Sequence, residues 1–80
     1  MSKEQNGTRP EFDMAKLKGR IIEKYGTLQQ FASIFGIFQG TLGKKLDGRS
    51  YWDQAEIIRA AELLGVTQEE IPVFFFTLKS

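Results

Sequence analysis

The sequence predicts an all-α protein, a compact bundle of four to five helices within one small domain of 80 residues. Two observations carry this prediction. First, apolar residues recur at helical spacing in four successive stretches, and a glycine follows each stretch where a helix would end. Second, two of these stretches lie close together between Thr27 and Gly48, which predicts two short helices joined by a tight turn and crossing steeply.

The N-terminal stretch, residues 1–11, is polar and shows no apolar period, so we expect a disordered leader or arm there. The folded domain is predicted to span residues 12–80. Its first helix should begin near Asp13, whose carboxylate can cap free backbone amides, and should end at Gly26. Gly19 lies inside this helix and predicts a close crossing with another helix. The side chains predicted to face inward are Leu17, Ile21, Ile22 and Tyr25.

The second predicted helix begins after Thr27, which can act as its N-cap with Gln30 completing a capping box. It should end at Gly36, since glycine adopts the left-handed conformation of a helix end without steric cost. The third helix is predicted over residues 38–46, because two leucines lie one turn apart there and Gly48 provides a stop. The apolar face of the second helix is predicted to consist of Leu28, Phe31, Ala32, Ile34 and Phe35.

The fourth predicted helix starts at about Asp53 and ends before Gly65. Thr67 and Glu70 then have the spacing of a capping box, which predicts a final helical turn that Pro72 keeps short. The predicted apolar positions of the fourth helix are Ala55, Ile57, Ile58, Ala61, Leu63 and Leu64.

Three successive aromatic residues lie near the end of the chain. Phe74, Phe75 and Phe76 cannot all face one core, so residues 72–80 are a candidate dimerisation segment with these rings at the interface. The alternative is that two rings cover the domain's own core and the third lies on the surface. A homodimer agrees with the chain length, because a core of this size is marginal unless a partner adds buried surface.

The composition excludes several chemistries. The chain has no cysteine and no histidine, which rules out disulfides, thiolate chemistry, histidine acid–base catalysis and the usual zinc sites. No apolar stretch is long enough to span a bilayer, and the N-terminus lacks the apolar segment of a signal peptide. No nucleophile–base pair or phosphate-binding loop stands out. We therefore expect a cytoplasmic protein that is not an enzyme, with no cofactor, metal, membrane partner or small-molecule ligand.

The net charge of +1 is unevenly distributed along the chain. Residues 14–50 contain seven cations and two anions, whereas residues 51–70 contain one cation and five anions. The basic half therefore contains the two short helices, as expected if that half faces phosphates. Chance segregation of charge in a small helical domain is the alternative, so the asymmetry only supports the other observations.

One face of the third predicted helix is polar and has little side-chain bulk. At 100° per residue, one side of this helix points away from the leucines and holds Gln39, Gly40, Gly43, Lys44 and Asp47. Glutamine can pair with adenine and lysine with guanine in the major groove, and glycines let a helix approach the base edges. This face is suited to DNA; an ordinary solvated helix face is the alternative.

The order of these parts resembles the phage repressor and Cro family of helix-turn-helix regulators, also called XRE-like. The resemblance covers residues 12–66, and it is carried by four segments: FDMAKLKGRIIEKYGT, TLQQFASIFGI, QGTLGKKLDGR and WDQAEIIRAAELLG. Small Cro-like regulators from phages or prophages of Gram-positive bacteria are the most similar members. The resemblance implies a five-helix, lambda-repressor-like DNA-binding domain that binds operator DNA, usually as a dimer.

By position, the resemblance implies that Gln39, Gly40 and Lys44 contact base edges. It implies phosphate contacts for a second set: Thr27, Leu28, Gln29, Thr41, Arg49 and Ser50. Lys45 lies on the flank of this face, either beside the core or toward a phosphate. Phe38 departs from the family pattern because a serine or threonine usually caps the recognition helix, and losing that cap costs about 0.5–2 kcal/mol.

These observations predict a sequence-specific transcriptional regulator that binds double-stranded operator DNA as a homodimer through its recognition helix. The alternative is a helical protein-interaction module, such as an antirepressor-like partner of another regulator, that uses the surface of Phe74 to Phe76. Tight protein binding without salt-dependent affinity for DNA would identify this alternative.

Overall fold

The computed structural model describes residues 10–79, and this part of the chain is all-helical, which confirms the predicted fold class. Its one pairing of extended backbone is an isolated antiparallel bridge between Phe12 and Leu78. The predicted leader falls mostly on residues 1–9, which lie outside the described residues. The helices are α1 (Ala15–Tyr25), α2 (Leu28–Phe35), α3 (Gln39–Leu46), α4 (Gln54–Leu64) and α5 (Ile71–Phe75), with a 3-10 turn over Gln68–Glu70 before α5.

Most helix ends lie where the sequence predicts them, because local side chains satisfy their free backbone groups. The hydroxyl of Thr27 accepts a hydrogen bond from the Gln30 amide at 3.1 Å, which begins α2. Gly36 ends α2 with φ of 95°, a left-handed conformation that favours glycine. Thr67 and Glu70 form the predicted capping box, and the hydrogen bonds from Thr67 hold the pKa of the Glu70 carboxyl below its usual value.

The core lies between the helices and is rich in aromatic rings. Phe31 on α2 and Phe75 on α5 are almost completely buried, as are Leu17 on α1 and Leu42 on α3. Trp52, in the loop before α4, packs its ring edge-to-face against Phe75 with 5.5 Å between ring centroids. One core therefore joins all five helices of the described chain.

The two ends of the described chain lie side by side and close the bundle. The Asp13 amide donates to the Thr77 carbonyl at 2.7 Å, and the Lys79 amide donates to the Glu11 carbonyl at 2.9 Å. The ring of Phe12 lies between those of Tyr51 and Phe76, with centroid distances of 5.9 and 5.7 Å. None of the helices described is long and apolar enough to cross a membrane.

Three isoleucines predicted to face inward are instead exposed: Ile22, Ile34 and Ile58. In α4, the buried residues are Ala60, Ala61 and Leu64, and Ile58 lies roughly 100° around the helix from this stripe. Each helix of this small bundle is covered along one stripe, so an apolar residue at its margin stays in solvent.

One further local prediction is wrong. A Cβ added to Gly19 would meet no atom within 4 Å in the described structure, so this glycine does not mark a close helix crossing.

The helix before Pro72 is short, as the sequence predicts, because only the 3-10 turn over Gln68–Glu70 precedes α5. The sequence did not predict α5 itself. Pro72 is its second residue and lies in its first turn, where the missing proline N–H leaves no helical hydrogen bond unmade.

Candidate functional site

The polar face predicted on α3 exists in the structure. Gln39, Gly40, Thr41 and Lys44 are exposed, and Gly43 is half-buried beside them. A Cβ on either glycine would meet no described atom within 4 Å, so another molecule can approach the helix backbone at this face. The geometry permits close contact but does not select DNA over protein.

The residues predicted to contact phosphates have mixed environments. Thr27 uses its hydroxyl to cap α2, and Leu28 and Ser50 are half-buried, whereas Gln29 is exposed. Arg49 donates from Nη2 to Oδ2 of Asp47 at 2.8 Å, so its charge is already neutralised by a neighbour. The structure therefore does not gather this set into one cationic surface.

Lys45 belongs to the interior rather than to the polar face. Its Nζ donates to Oε1 of Glu56 at 2.8 Å and to the carbonyl of Tyr51 at 3.0 Å. The same atom lies 5.6 Å from the centroid of the Trp52 ring. The sequence allowed Lys45 to lie either beside the core or toward a phosphate, and in the structure it lies beside the core.

Two exposed apolar side chains border the turn between α2 and α3, and a third lies on α4 next to Arg59, which contacts the end of α2. Ile34 lies in the last turn of α2, Phe38 immediately before α3, and Ile58 on α4, with exposed fractions of 40%, 85% and 57%. Arg59, the neighbour of Ile58, donates to the Ile34 carbonyl and thereby holds α4 beside this turn. We call Ile34, Phe38, Ile58 and Arg59 the turn surface.

Phe38 is the most exposed large apolar residue among those that the structure describes. It is the N-cap residue of α3, and its side chain makes no capping hydrogen bond. The chain therefore has a solvated aromatic ring where a serine or threonine would stabilise the helix. The sequence already marked Phe38 as unusual, but Ile34 and Ile58 were missed because their helical spacing suggested burial.

The candidate dimer interface needs correction. Phe74 and Phe75 are buried within the protein's own core, and only Phe76, at 47% exposure, reaches solvent. Phe74 also lies against Arg20, whose guanidinium carbon is 5.0 Å from the ring centroid. Two of the three rings are therefore not available to a second copy, and homodimerisation stays a prediction.

No metal site can be assembled from the described part of the chain. Among residues 10–79, no three acidic side chains lie close enough together to hold an ion. The turn surface combines exposed apolar groups with one arginine.

The structure thus defines a small helical module with an exposed apolar surface at a helix-turn-helix. The chain belongs to the family described as "Protein of unknown function (DUF739)", whose model matches residues 11–78.

Among solved structures, the chain is similar to the solution structure of the modulator of repression (MOR) of the temperate bacteriophage TP901-1 from Lactococcus lactis. The two are 35% identical and superpose with a TM-score of 0.72, over 82% of this chain and 89% of that one. No match was found among curated proteins.

These findings correct the interpretation of the sequence. The assignment to the phage repressor and Cro family is wrong, because the chain matches a different family and a structure described as a modulator of repression. The prediction of a regulator that binds operator DNA directly is wrong for the same reason. The base and phosphate contacts assigned to single residues depended on that partner and stay untested. The alternative, a protein-interaction module, agrees better with the matches.

Proposed function

We propose that this chain is a small regulatory protein of a phage or prophage that modulates repression by binding a repressor protein. It acts in the bacterial cytoplasm through protein contact and has no catalytic role. The observation that carries this proposal is Phe38, an aromatic side chain that is 85% exposed at the start of α3. Buried aromatic anchors dominate the binding energy of protein interfaces, and a solvated ring is available for that role.

The turn surface can supply the required free energy. Fully burying a large apolar side chain stabilises a complex by about 1.5–3 kcal/mol, before the cost of association. Three such side chains lie at the turn surface, and Gly40 and Gly43 leave room for a partner's backbone beside them. The similarity to the modulator of repression supports a repressor as the partner.

The function is tested with the full chain and the purified repressor of the same phage or prophage. Fluorescently labelled operator DNA is titrated with repressor, with and without the chain, and fluorescence anisotropy gives each affinity. We expect the chain to change the repressor's affinity for its operator without binding the operator by itself. Operator binding by the chain alone, with no effect on the repressor, would contradict the proposal.

The variant Phe38→Ser tests the turn surface directly. It should weaken binding to the repressor by about tenfold to a hundredfold, since the ring can no longer be buried in the partner. The control is Val73→Ser on α5, because Val73 is 44% exposed but lies beside Asp13 and Lys16 instead. Equal losses in both variants would remove the turn surface from the proposal.

A further inference from the structure

We propose that Arg59 recognises a carboxylate of the partner, so that the partner's docking segment is apolar and carries an aspartate or glutamate. This inference rests on the proposed function and names the chemistry that the turn surface selects. Its three supports are the fixed position of the guanidinium, its lack of an ionic partner, and the absence of acidic residues from Leu28 to Leu46, which span α2, the turn and α3.

The guanidinium of Arg59 is held in place before any partner binds. Its Nη2 donates to the Ile34 carbonyl at 3.1 Å, and its Cζ lies 5.6 Å from the centroid of the Phe35 ring. A side chain restrained in this way loses less conformational entropy when it forms a further contact. Arg59 is therefore preorganised on the surface of the protein.

The donors of Arg59 are mostly unused. Among the described residues, Arg20 lies 3.4 Å from Glu23 and Arg49 lies 2.8 Å from Asp47, whereas no carboxylate lies within ion-pair distance of Arg59. One of its five N–H groups binds Ile34, and the planar fork that remains matches the two oxygens of a carboxylate. The hydrogen bond to Ile34 caps the C-terminal end of α2 and uses one N–H group of Arg59, so the other N–H groups stay available to a partner.

The charge around the turn selects an acidic partner. The sequence from Leu28 to Leu46 contains no aspartate or glutamate, and Lys44 is exposed on α3. Glu62 follows Arg59 on the exposed side of α4 but forms no ion pair with it. A basic segment at the end of α2 would meet the Arg59 guanidinium and no acidic residue of α2 or α3, whereas an acidic one satisfies the free guanidinium donors.

The test is a double-mutant cycle between the full chain and the repressor. The affinity of the unaltered chain, Arg59→Gln and Arg59→Lys for the repressor is measured by isothermal titration calorimetry. Each exposed aspartate and glutamate of the repressor is then replaced singly by its amide. Arg49→Gln is the matched control, because Arg49 is exposed but already paired with Asp47.

We expect Arg59→Gln to weaken binding by at least about tenfold, Arg59→Lys to restore it only in part, and Arg49→Gln to change it little. One amide substitution in the repressor should weaken binding to the unaltered chain by a similar factor and have no further effect on Arg59→Gln. This second measurement leaves the chain unaltered, so a folding defect cannot produce it.

Two results would overturn the inference and are distinguishable from each other. If the repressor binds the chain and Phe38→Ser weakens the complex, but Arg59→Gln and every amide substitution bind normally, the carboxylate contact is absent and the proposed function stands. If the unaltered chain does not bind the repressor at all, the proposed function and the inference both fail.

Discussion

At the scale of single residues, Lys45 shows how burial changes the role of a charge. On a helical wheel it flanks the polar face of α3, but in the structure it is 6% exposed. Its ammonium group is satisfied by Glu56, and Oε1 of Glu56 also accepts the Asp53 amide at 2.9 Å to complete the capping box of α4. One carboxylate oxygen therefore ties the interior to the start of a helix.

Replacing Glu56 by glutamine should lower the free energy of unfolding by about 1–3 kcal/mol, because Lys45 would keep its charge in a buried position without an anion. Urea unfolding followed by circular dichroism measures this change. The control is Asp47→Asn, which breaks the Arg49 pair of the same 2.8 Å length at an exposed site. The control should change stability by less than about 1 kcal/mol, and equal losses in both variants would refute the buried role of Lys45.

At the scale of helices, nearby side chains fix the position of the helix ends, whereas the interior of α1 contains a residue of low helix propensity, Gly19. The capping residues of α2 and α4 act within three residues of chain, so a sequence pattern finds or could find them. The Asp53–Glu56 capping box was not predicted, although its spacing is visible in the sequence. Gly19 is different, because it lies in the middle of α1 with open space around it.

Gly19→Ala should raise the free energy of unfolding by about 0.5–1 kcal/mol, because alanine has the higher helix propensity and meets no neighbour here. Thermal unfolding measures the effect as an increase in Tm. Gly36→Ala is the opposite case, because φ at Gly36 is 95°. Alanine in this left-handed conformation should lower the free energy of unfolding by about 1–2 kcal/mol. A decrease in Tm for Gly19→Ala would mean that another group does approach this position.

At the scale of the whole molecule, the contact between the two ends of the described chain completes the core. Phe12 and Leu78 form the single bridge, but they contribute differently. The ring of Phe12 packs between Tyr51 and Phe76. The Leu78 side chain is 62% exposed, so on its side of the bridge the contact is made by the backbone.

Phe12→Ala should therefore destabilise the fold by about 2 kcal/mol, or roughly 8–16 °C in Tm for a domain of this size. Leu78→Ala should change Tm by no more than a few degrees, because the side chain is exposed and the flanking hydrogen bonds, from Asp13 to Thr77 and from Lys79 to Glu11, are kept. Differential scanning calorimetry compares the two variants. If Phe12→Ala lowers Tm no more than Leu78→Ala does, the aromatic contacts of Phe12 do not stabilise the closed bundle.

The all-helical class, the approximate helix boundaries and the caps at Thr27 and Thr67 were predictable from the sequence alone. These depend on contacts within about four residues, which a linear pattern contains. The sequence also indicated that Phe38 is unusual, but its family resemblance led to DNA as the partner and was wrong. A helix-turn-helix pattern specifies backbone geometry, and the same geometry can present its surface to a protein.

The exposure of individual side chains and the pairing of their charges depend instead on how the helices pack together. Ile34 and Ile58 have core-like spacing and are exposed, whereas Lys45 is polar and buried. Arg59 bonds to Ile34 across 25 residues of chain. Such contacts depend on how helices cross, and the order of residues along one helix does not encode that. The turn surface is therefore a property of the fold, because only the folded chain brings Arg59 of α4 to the end of α2.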